Sequence, residues 1–188
     1  MKSLEDQIRK KSKDLIDLCA SHNLKIGSCE SLTAGLFCSS LASVSGASQV
    51  LAGGLVTYMS FEKERLAHVD HEIIERFGVV SSNCAAAMAK NARKVLDCDY
   101  CVSFTGNAGP KVMESKPAGL VYCALASHHD LEVYEFNLSL ERNELRLKLV
   151  DLMMDRLMNL IQKNIHQEYE DYDRKDHHDS ETKIKNLM

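Results

Sequence analysis

The stretch Cys29-Glu30-Ser31-Leu32-Thr33-Ala34-Gly35 decides how this sequence is interpreted. It follows a short apolar run, Leu24 to Cys29, and precedes a helical pattern that begins near Thr33. A turn from strand to helix exposes a side chain at the end of a sheet and directs unpaired helix N–H groups toward a ligand. Ser31 is therefore a candidate nucleophile or anion ligand, although Glu30, Ser31 and Thr33 also suit a simple helix cap.

The composition of the 188 residues fits one cytoplasmic domain whose core is built from small and aliphatic side chains. Hydrophobic residues make up 45% of the chain, but aromatic residues only 6%. The net charge of -4 and the lack of a basic block argue against nucleic acid as a partner. No apolar run is long enough to span a membrane, and residues 1–6 begin a polar helix rather than a signal peptide.

Strand-like and helix-like segments alternate along the chain, which predicts an α/β fold, a three-layer α/β/α sandwich in a single domain. The predicted strands are 24–29, 50–58, 100–104, 119–127 and 131–138, and the predicted helices are 3–21, 33–44, 61–68, 83–96 and 141–165. The last two strands read as a hairpin, which makes the sheet mixed. Residues 111–117 are polar, and we expect them to form a mobile loop.

The domain is predicted to cover residues 1–165, with a polar tail over residues 166–188. The tail contains seven acidic and four basic residues and few apolar ones. Such a composition cannot bury enough apolar surface to fold by itself, so we expect the tail to be largely disordered.

Three polar side chains follow or end predicted strands: Ser31, Tyr58 and Thr105. Ligands of open α/β sheets bind at the carboxyl ends of strands, so this convergence favours a functional site. The small residues of Thr105-Gly106-Asn107-Ala108-Gly109-Pro110 suit an anion-binding nest, or equally a plain turn. From composition alone, Lys63 and Arg142 are better interpreted as solvent-exposed surface residues.

The cysteines indicate reduced thiols rather than disulfides, because their number, seven, is odd and most lie in apolar surroundings. Cys98 and Cys101 have the spacing of a redox or zinc half-site. A predicted strand starts between them, however, and the sequence contains no second pair of this kind. We therefore assign neither zinc nor redox chemistry to them.

Five blocks of the sequence match the pattern of a known protein family, both in their residues and in their spacing. They are Glu30–Gly35, Gly53–Tyr58 with Lys63, Gly78–Ser81, Thr105–Pro110 and Lys116–Gly119. Together they resemble the C-terminal domain of the competence/damage-inducible protein CinA, a family that includes nicotinamide mononucleotide (NMN) deamidases. The resemblance covers roughly residues 5–162. It implies the same sandwich fold, in a stand-alone form of the domain.

The resemblance implies an amidohydrolase that converts the carboxamide of NMN to nicotinate mononucleotide and ammonia, without a cofactor or a metal. It implies a serine nucleophile, Ser31, activated by Lys63, with Tyr58 and Thr105 as further active-site positions. The implied substrate-binding residues are Glu30, Thr33, Gly35, Gly106, Asn107 and Arg142. The partner would be this small-molecule substrate, with no nucleic acid and no membrane involved, and we expect a homodimer or a higher homo-oligomer.

The residue types are chemically consistent with that activity. A serine hydroxyl needs a base, and a lysine amine serves as one when burial lowers its pKa from about 10.4. The N–H groups around Thr33 or Gly106 are candidates to stabilise the oxyanion.

Three departures from the family pattern leave other functions open. Lys111-Val112-Met113 stands where the family continues with glycines after Gly-Pro, and Ser60 stands where the family commonly has Asn. Asn107 occupies a position in Thr105–Pro110 that is often apolar in the family. The alternatives are a catalytically weak nucleotide-binding module with a regulatory or interaction role, and a hydrolase of a different small amide.

Overall fold

The computed structural model describes the backbone of residues 3–185 and the side chains of residues 3–171. Within that backbone, five strands form one sheet and six α-helices surround it. The strands are β1 (Ile26–Glu30), β2 (Leu51–Val56), β3 (Tyr100–Gly106), β4 (Leu120–Ala126) and β5 (Leu131–Asn137). The helices are α1 (Leu4–Ser21), α2 (Leu36–Ala42), α3 (Ser60–Arg65), α4 (His71–Phe77), α5 (Ser82–Val95) and α6 (Arg142–Lys185). One compact unit ends at Met154, and a second begins at Asp155 within α6.

The sheet is mixed, as the sequence predicts, and the structure gives its strand order as β2-β1-β3-β4-β5. The central strand β1 is parallel to both β2 and β3, and Glu30 lies opposite Val56 on one side and Phe104 on the other. The strands β3, β4 and β5 pair antiparallel. The carboxyl ends of β1, β2 and β3 therefore meet at one edge of the sheet, which is where ligands of such sheets bind.

Helices cover both faces of the sheet, so the three-layer α/β/α arrangement is confirmed. On one face Cys29 of β1 packs in a cluster with Cys84 and Met88 of α5. On the other face Ser28 of β1 contacts Cys38 of α2, and α1 packs against α2. Side chains at successive positions of a strand point to opposite faces, which explains how β1 serves both layers.

The small residues of α5 allow this helix to lie close to the sheet. Ala85 and Ala89 are buried against Ala124 and Ala126 of β4. Large apolar side chains fill the core elsewhere, and each contributes about 1.5–3 kcal/mol through its burial. The fully buried examples are Leu15, Ile16, Phe37, Leu41, Leu145 and Leu149.

Several boundaries differ from the prediction. The apolar cluster around Ile73 belongs to a helix, α4, whose first turn is capped by the Asp70 side chain. The helix α2 starts at Leu36 rather than near Thr33, because Ala34 and Gly35 adopt left-handed backbone conformations. Such residues interrupt a right-handed helix.

The last helix is longer than its apolar stripe predicts. The helix α6 continues past Ile165 to Lys185, in a stretch without Gly or Pro. Nε2 of His166 lies 3.2 Å from the carboxylate of Glu170, four residues along, a contact that supports an exposed helix when the imidazole is protonated. Part of the predicted tail, residues 166–188, lies outside the described residues, and its assignment as a separate region stays a prediction. Across residues 3–185, none of the helices combines the length and the apolar character that crossing a bilayer requires.

Candidate active site

Ser31 is the first residue after β1, and the backbone fixes it from two sides. Its N–H donates to the carbonyl of Phe104 in β3 (2.9 Å), and its carbonyl accepts from the N–H of Ala34 (3.0 Å). The residue is only 6% exposed. Its hydroxyl therefore sits at a defined position on the edge where β1 and β3 end.

Lys63 of α3 brings its amine to that hydroxyl. The Nζ atom lies 3.1 Å from Oγ of Ser31 and donates to the carbonyl of Thr57 (2.8 Å). Lys63 is 1% exposed, and no ion pair in the described part of the chain includes it.

Burial lowers the pKa of Lys63 below that of a free lysine, against smaller opposing contributions from Cys84, Cys29 and Glu114. A desolvated amine without a carboxylate partner loses its proton more readily than a surface lysine. The Ser31–Lys63 pair, predicted as nucleophile and base, is thus brought together with the geometry of a serine–lysine dyad.

Ser31 lines a pocket of about 150 Å³. The lining residues come from the ends of three strands, from the loop after β3 and from the start of α6. They are Ser31, Leu32, Tyr58, Gly106, Asn107, Ala108, Lys111, Met113 and Arg142. Two of these residues are cationic and none is acidic, so the pocket favours a ligand with negative charge.

Tyr58 and Arg142 hold each other at the mouth of this pocket. Arg142 donates from Nη2 to the Tyr58 hydroxyl (2.7 Å) and from Nη1 to the carbonyl of Gly109 (2.9 Å). Tyr58 remains 51% exposed. The predicted positions Tyr58 and Arg142 therefore lie beside Ser31, although neither was expected to contact the other.

Two predicted site residues have structural partners and do not line the pocket. The buried carboxylate of Glu30 accepts the N–H groups of Phe37 (3.2 Å) and Cys38 (3.0 Å) at the start of α2. Glu30 therefore binds the helix N–H groups that the sequence analysis expected to face a ligand. The hydroxyl of Thr105 donates to the carbonyl of Val79 (2.6 Å).

Thr33 and Gly35 shape the turn without lining the pocket. The carbonyl of Thr33 accepts from Nη2 of Arg146 (2.9 Å), while its buried hydroxyl has no hydrogen-bond partner among the described residues. Gly35 has φ of +90°, a conformation that an L-residue rarely adopts. Both residues therefore determine the backbone conformation of the turn that follows Ser31.

Gly106 and Asn107 do line the pocket, and Asn107 organises the loop that follows. Its side-chain amide donates to the carbonyls of Met113 (3.1 Å) and Lys116 (3.0 Å), and its Oδ1 accepts from the N–H of Met113 (3.0 Å). The amide is therefore used within the protein and forms the base of the loop. This bonding differs from the mobile loop expected over residues 111–117.

The backbone N–H groups of two residues that line the pocket are candidate donors to a ligand. Those of Leu32 and Ala108 have no acceptor among the described residues, and both residues line the pocket. An oxyanion needs donors of this kind. Sequence reasoning placed the donors nearby, around Thr33 or Gly106, and it missed Lys111 and Met113 as lining residues. The sequence feature that could have identified them is their position, because they stand where the family has glycines.

The buried thiols are not part of this pocket. Cys98 and Cys101 are free and buried. No group of three or more His, Cys, Asp or Glu side chains able to hold a metal ion is found among the residues that the structure describes.

Comparison with known proteins places the fold in one family. Residues 8–161 match the CinA C-terminal domain. A competence-damage inducible protein of Oceanobacillus iheyensis is 40% identical over 77% of this chain and 33% of its own length. Its counterpart in Listeria welshimeri is 37% identical over 75% of this chain and 34% of its own length. The chain thus spans about a third of the length of these curated relatives.

Solved structures agree with this assignment. The competence/damage inducible protein CihA of Agrobacterium tumefaciens superposes with a TM-score of 0.79 at 30% identity, covering 82% of this chain and 95% of that chain. A CinA superfamily protein of Klebsiella pneumoniae, with a TM-score of 0.80 and 19% identity over 83% of this chain and 98% of its own, shares the fold. The match over residues 8–161 establishes that this chain belongs to the CinA C-terminal domain family.

Proposed function

We propose that the chain is an amidohydrolase that converts the carboxamide of NMN to nicotinate mononucleotide and ammonia. The observation that carries the proposal is the 3.1 Å distance between Lys63 Nζ and Ser31 Oγ in a buried setting. This pair is suited to acyl transfer, because the lowered pKa of Lys63 lets a neutral amine take the serine proton.

In the first half-reaction, neutral Lys63 takes the proton of the Ser31 hydroxyl while Oγ attacks the carboxamide carbon. The resulting oxyanion is stabilised by the N–H groups of Leu32 and Ala108. The C–N bond then breaks, and the leaving nitrogen takes the proton from Lys63 and departs as ammonia. An ester between the nicotinoyl group and Ser31 remains.

In the second half-reaction, water gives a proton to Lys63 and attacks the ester carbonyl. The C–O bond to Ser31 breaks, Oγ recovers the proton, and nicotinate mononucleotide leaves. The hydrogen bond from Lys63 to the carbonyl of Thr57 keeps the amine directed at Oγ through both steps. Each half-reaction leaves Lys63 neutral, and the second also restores the Ser31 hydroxyl.

The size and charge of the site support a nucleotide amide as the substrate. A pocket of about 150 Å³ is smaller than the about 300–1,000 Å³ of whole-ligand sites and suits one ring with its carboxamide. A second cleft of about 540 Å³ adjoins it, since Ala108 and Arg142 line both. That cleft is also lined by Glu141 and Glu144, so the remaining sugar phosphate would instead lie just outside the smaller pocket, near its two cations, Lys111 and Arg142.

The test is ammonia release from NMN by the purified protein, beside Ser31→Ala and a control, Lys94→Ala, at an exposed position on α5. Release by the wild type and by the control, but not by Ser31→Ala, is the expected result. Binding of NMN without release would favour the nucleotide-binding module, and release that persists in Ser31→Ala would refute the nucleophile.

A further inference from the structure

The loop after β3 is fixed to the protein at a second point, beyond the Asn107 amide. The carboxylate of Glu114 accepts the N–H groups of Val79 (2.6 Å) and Val80 (3.2 Å), in the segment before α5. Lys116 donates to the carbonyl of Val80 (2.6 Å) and to Glu114 (2.9 Å). These contacts make residues 107–116 a fixed wall of the pocket.

A glycine makes room for this attachment. A Cβ atom at residue 78 would lie 2.2 Å from Oε2 of Glu114, so the carboxylate reaches the Val79 N–H only because residue 78 is Gly. Burial alone would raise the pKa of Glu114, but its hydrogen bonds with Lys116, Val79 and Val80 hold the pKa below the usual value. The carboxylate is thus charged and bonded at neutral pH.

The fixed wall presents Lys111 to the ligand. Lys111 lines the pocket together with Ser31, is exposed, and has no hydrogen bond or ion pair with any described residue. The other cation of the pocket, Arg142, already uses Nη1 and Nη2 on Gly109 and Tyr58. Lys111 is therefore the pocket cation whose donors are all available.

We propose that Lys111 is a specificity-determining residue that binds an anionic group of the substrate, so that the chain prefers amides bearing a phosphate over analogues without one. The proposal rests on the function proposed above, because it concerns the same pocket. A lysine ammonium is a point charge on a flexible stem, which lets it reach a phosphate beyond the ring that enters the pocket. Because the loop is fixed, the backbone of Lys111, from which this flexible side chain extends, has a defined position.

The expected effect is a change in selectivity rather than a general loss of binding. A hydrogen bond to a charged group contributes about 1.5 kcal/mol at the low end, which corresponds to about a tenfold change in affinity. Because Lys111 is exposed, the effect should shrink as ionic strength rises. A lysine that only shapes the loop would alter the affinity of both ligands alike.

The test measures equilibrium binding to Ser31→Ala protein, which separates binding from turnover. Calorimetry gives the Kd of NMN and of nicotinamide riboside, which lacks the phosphate, with and without Lys111→Ala. We expect Lys111→Ala to raise the Kd of NMN about tenfold and to leave the Kd of the riboside within about twofold. The matched control, Lys94→Ala on the remote part of α5, should change neither Kd.

Equal changes for both ligands, or no change for NMN, would overturn the role of Lys111, as would a failure of NMN to bind at all. Ammonia release is measured separately on protein that retains Ser31. Release without a selective effect of Lys111→Ala refutes only the present inference. Absence of release refutes the proposed hydrolysis, and the ratio of the two Kd values still decides the role of Lys111.

Discussion

Replacing Lys63 by Met tests the reaction centre most directly. Methionine is nearly as long as lysine and apolar, so it fills the same buried space without a base. We expect kcat/KM for NMN to fall by about 10²–10⁴, the range that a positioned general base contributes. That loss corresponds to about 3–5 kcal/mol of transition-state stabilisation.

The effect on stability should be much smaller, because two changes oppose each other. The substitution removes the hydrogen bonds from Lys63 to Thr57 and Ser31, each worth about 1 kcal/mol. It also removes a buried amine whose lowered pKa means that its charged form destabilises the folded state at neutral pH. We expect the free energy of unfolding to stay within about 2 kcal/mol of the wild-type value.

The assay combines initial rates of ammonia release from pH 6 to pH 10 with thermal unfolding, and Lys94→Met serves as the control. Wild-type activity should fall as the pH drops through the pKa of Lys63, because protonation removes the base. The residual activity of Lys63→Met should lack this decline. A folded Lys63→Met protein that keeps activity within tenfold of the wild type would refute the dyad.

Three further substitutions test the surroundings of the site. Thr105→Val should lower the stability by about 1–2 kcal/mol through loss of the bond to Val79, yet keep kcat/KM within about tenfold; a selective collapse of kcat would instead make Thr105 catalytic. Gly106→Ala should lower the stability by at least about 2 kcal/mol in denaturant unfolding, because its Cβ would lie 2.6 Å from the Leu120 carbonyl oxygen; unchanged stability would contradict this. Glu114→Gln should lower the melting temperature at pH 7. Because the pKa of Glu114 is lowered in the folded state, its charge stabilises the folded protein fully above about pH 4.5, and the difference from the wild type should close as the pH falls below that value. A difference that stays constant with pH would show that the charge of Glu114 does not contribute to stability.

The edge of the sheet where the site lies could be predicted from the sequence, because strand ends follow from local patterns, whereas the strand order comes from the structure. Ser31 and Tyr58 follow two apolar runs that become the neighbouring parallel strands β1 and β2. Parallel pairing brings such ends together whatever the connecting segments do. The proximity of Lys63 to Ser31 was implied only by the family resemblance, since composition favoured a surface lysine.

The partners of the carboxylates of Glu30 and Glu114 could not be predicted, because they depend on contacts between separate parts of the chain. Glu114 bonds to Val79, 35 residues earlier, and nothing local to either residue indicates the contact. The same holds for Thr105 and Val79, 26 residues apart. The sequence therefore predicts a mobile loop where a polar segment has no visible partner, and the resemblance alone implies that Glu30 is a substrate ligand.

The position of Ser31 is set by strands, through its bond to the Phe104 carbonyl in β3 and the pairing of Glu30 with Val56 of β2. The wall that carries Lys111 and Met113 is attached elsewhere, through Asn107 and Glu114. Mutations in the loop can accordingly alter which molecules enter without displacing the nucleophile. A chain built in this way can acquire a new substrate by successive single substitutions, and its descendants can keep one reaction while they diverge in what they act on.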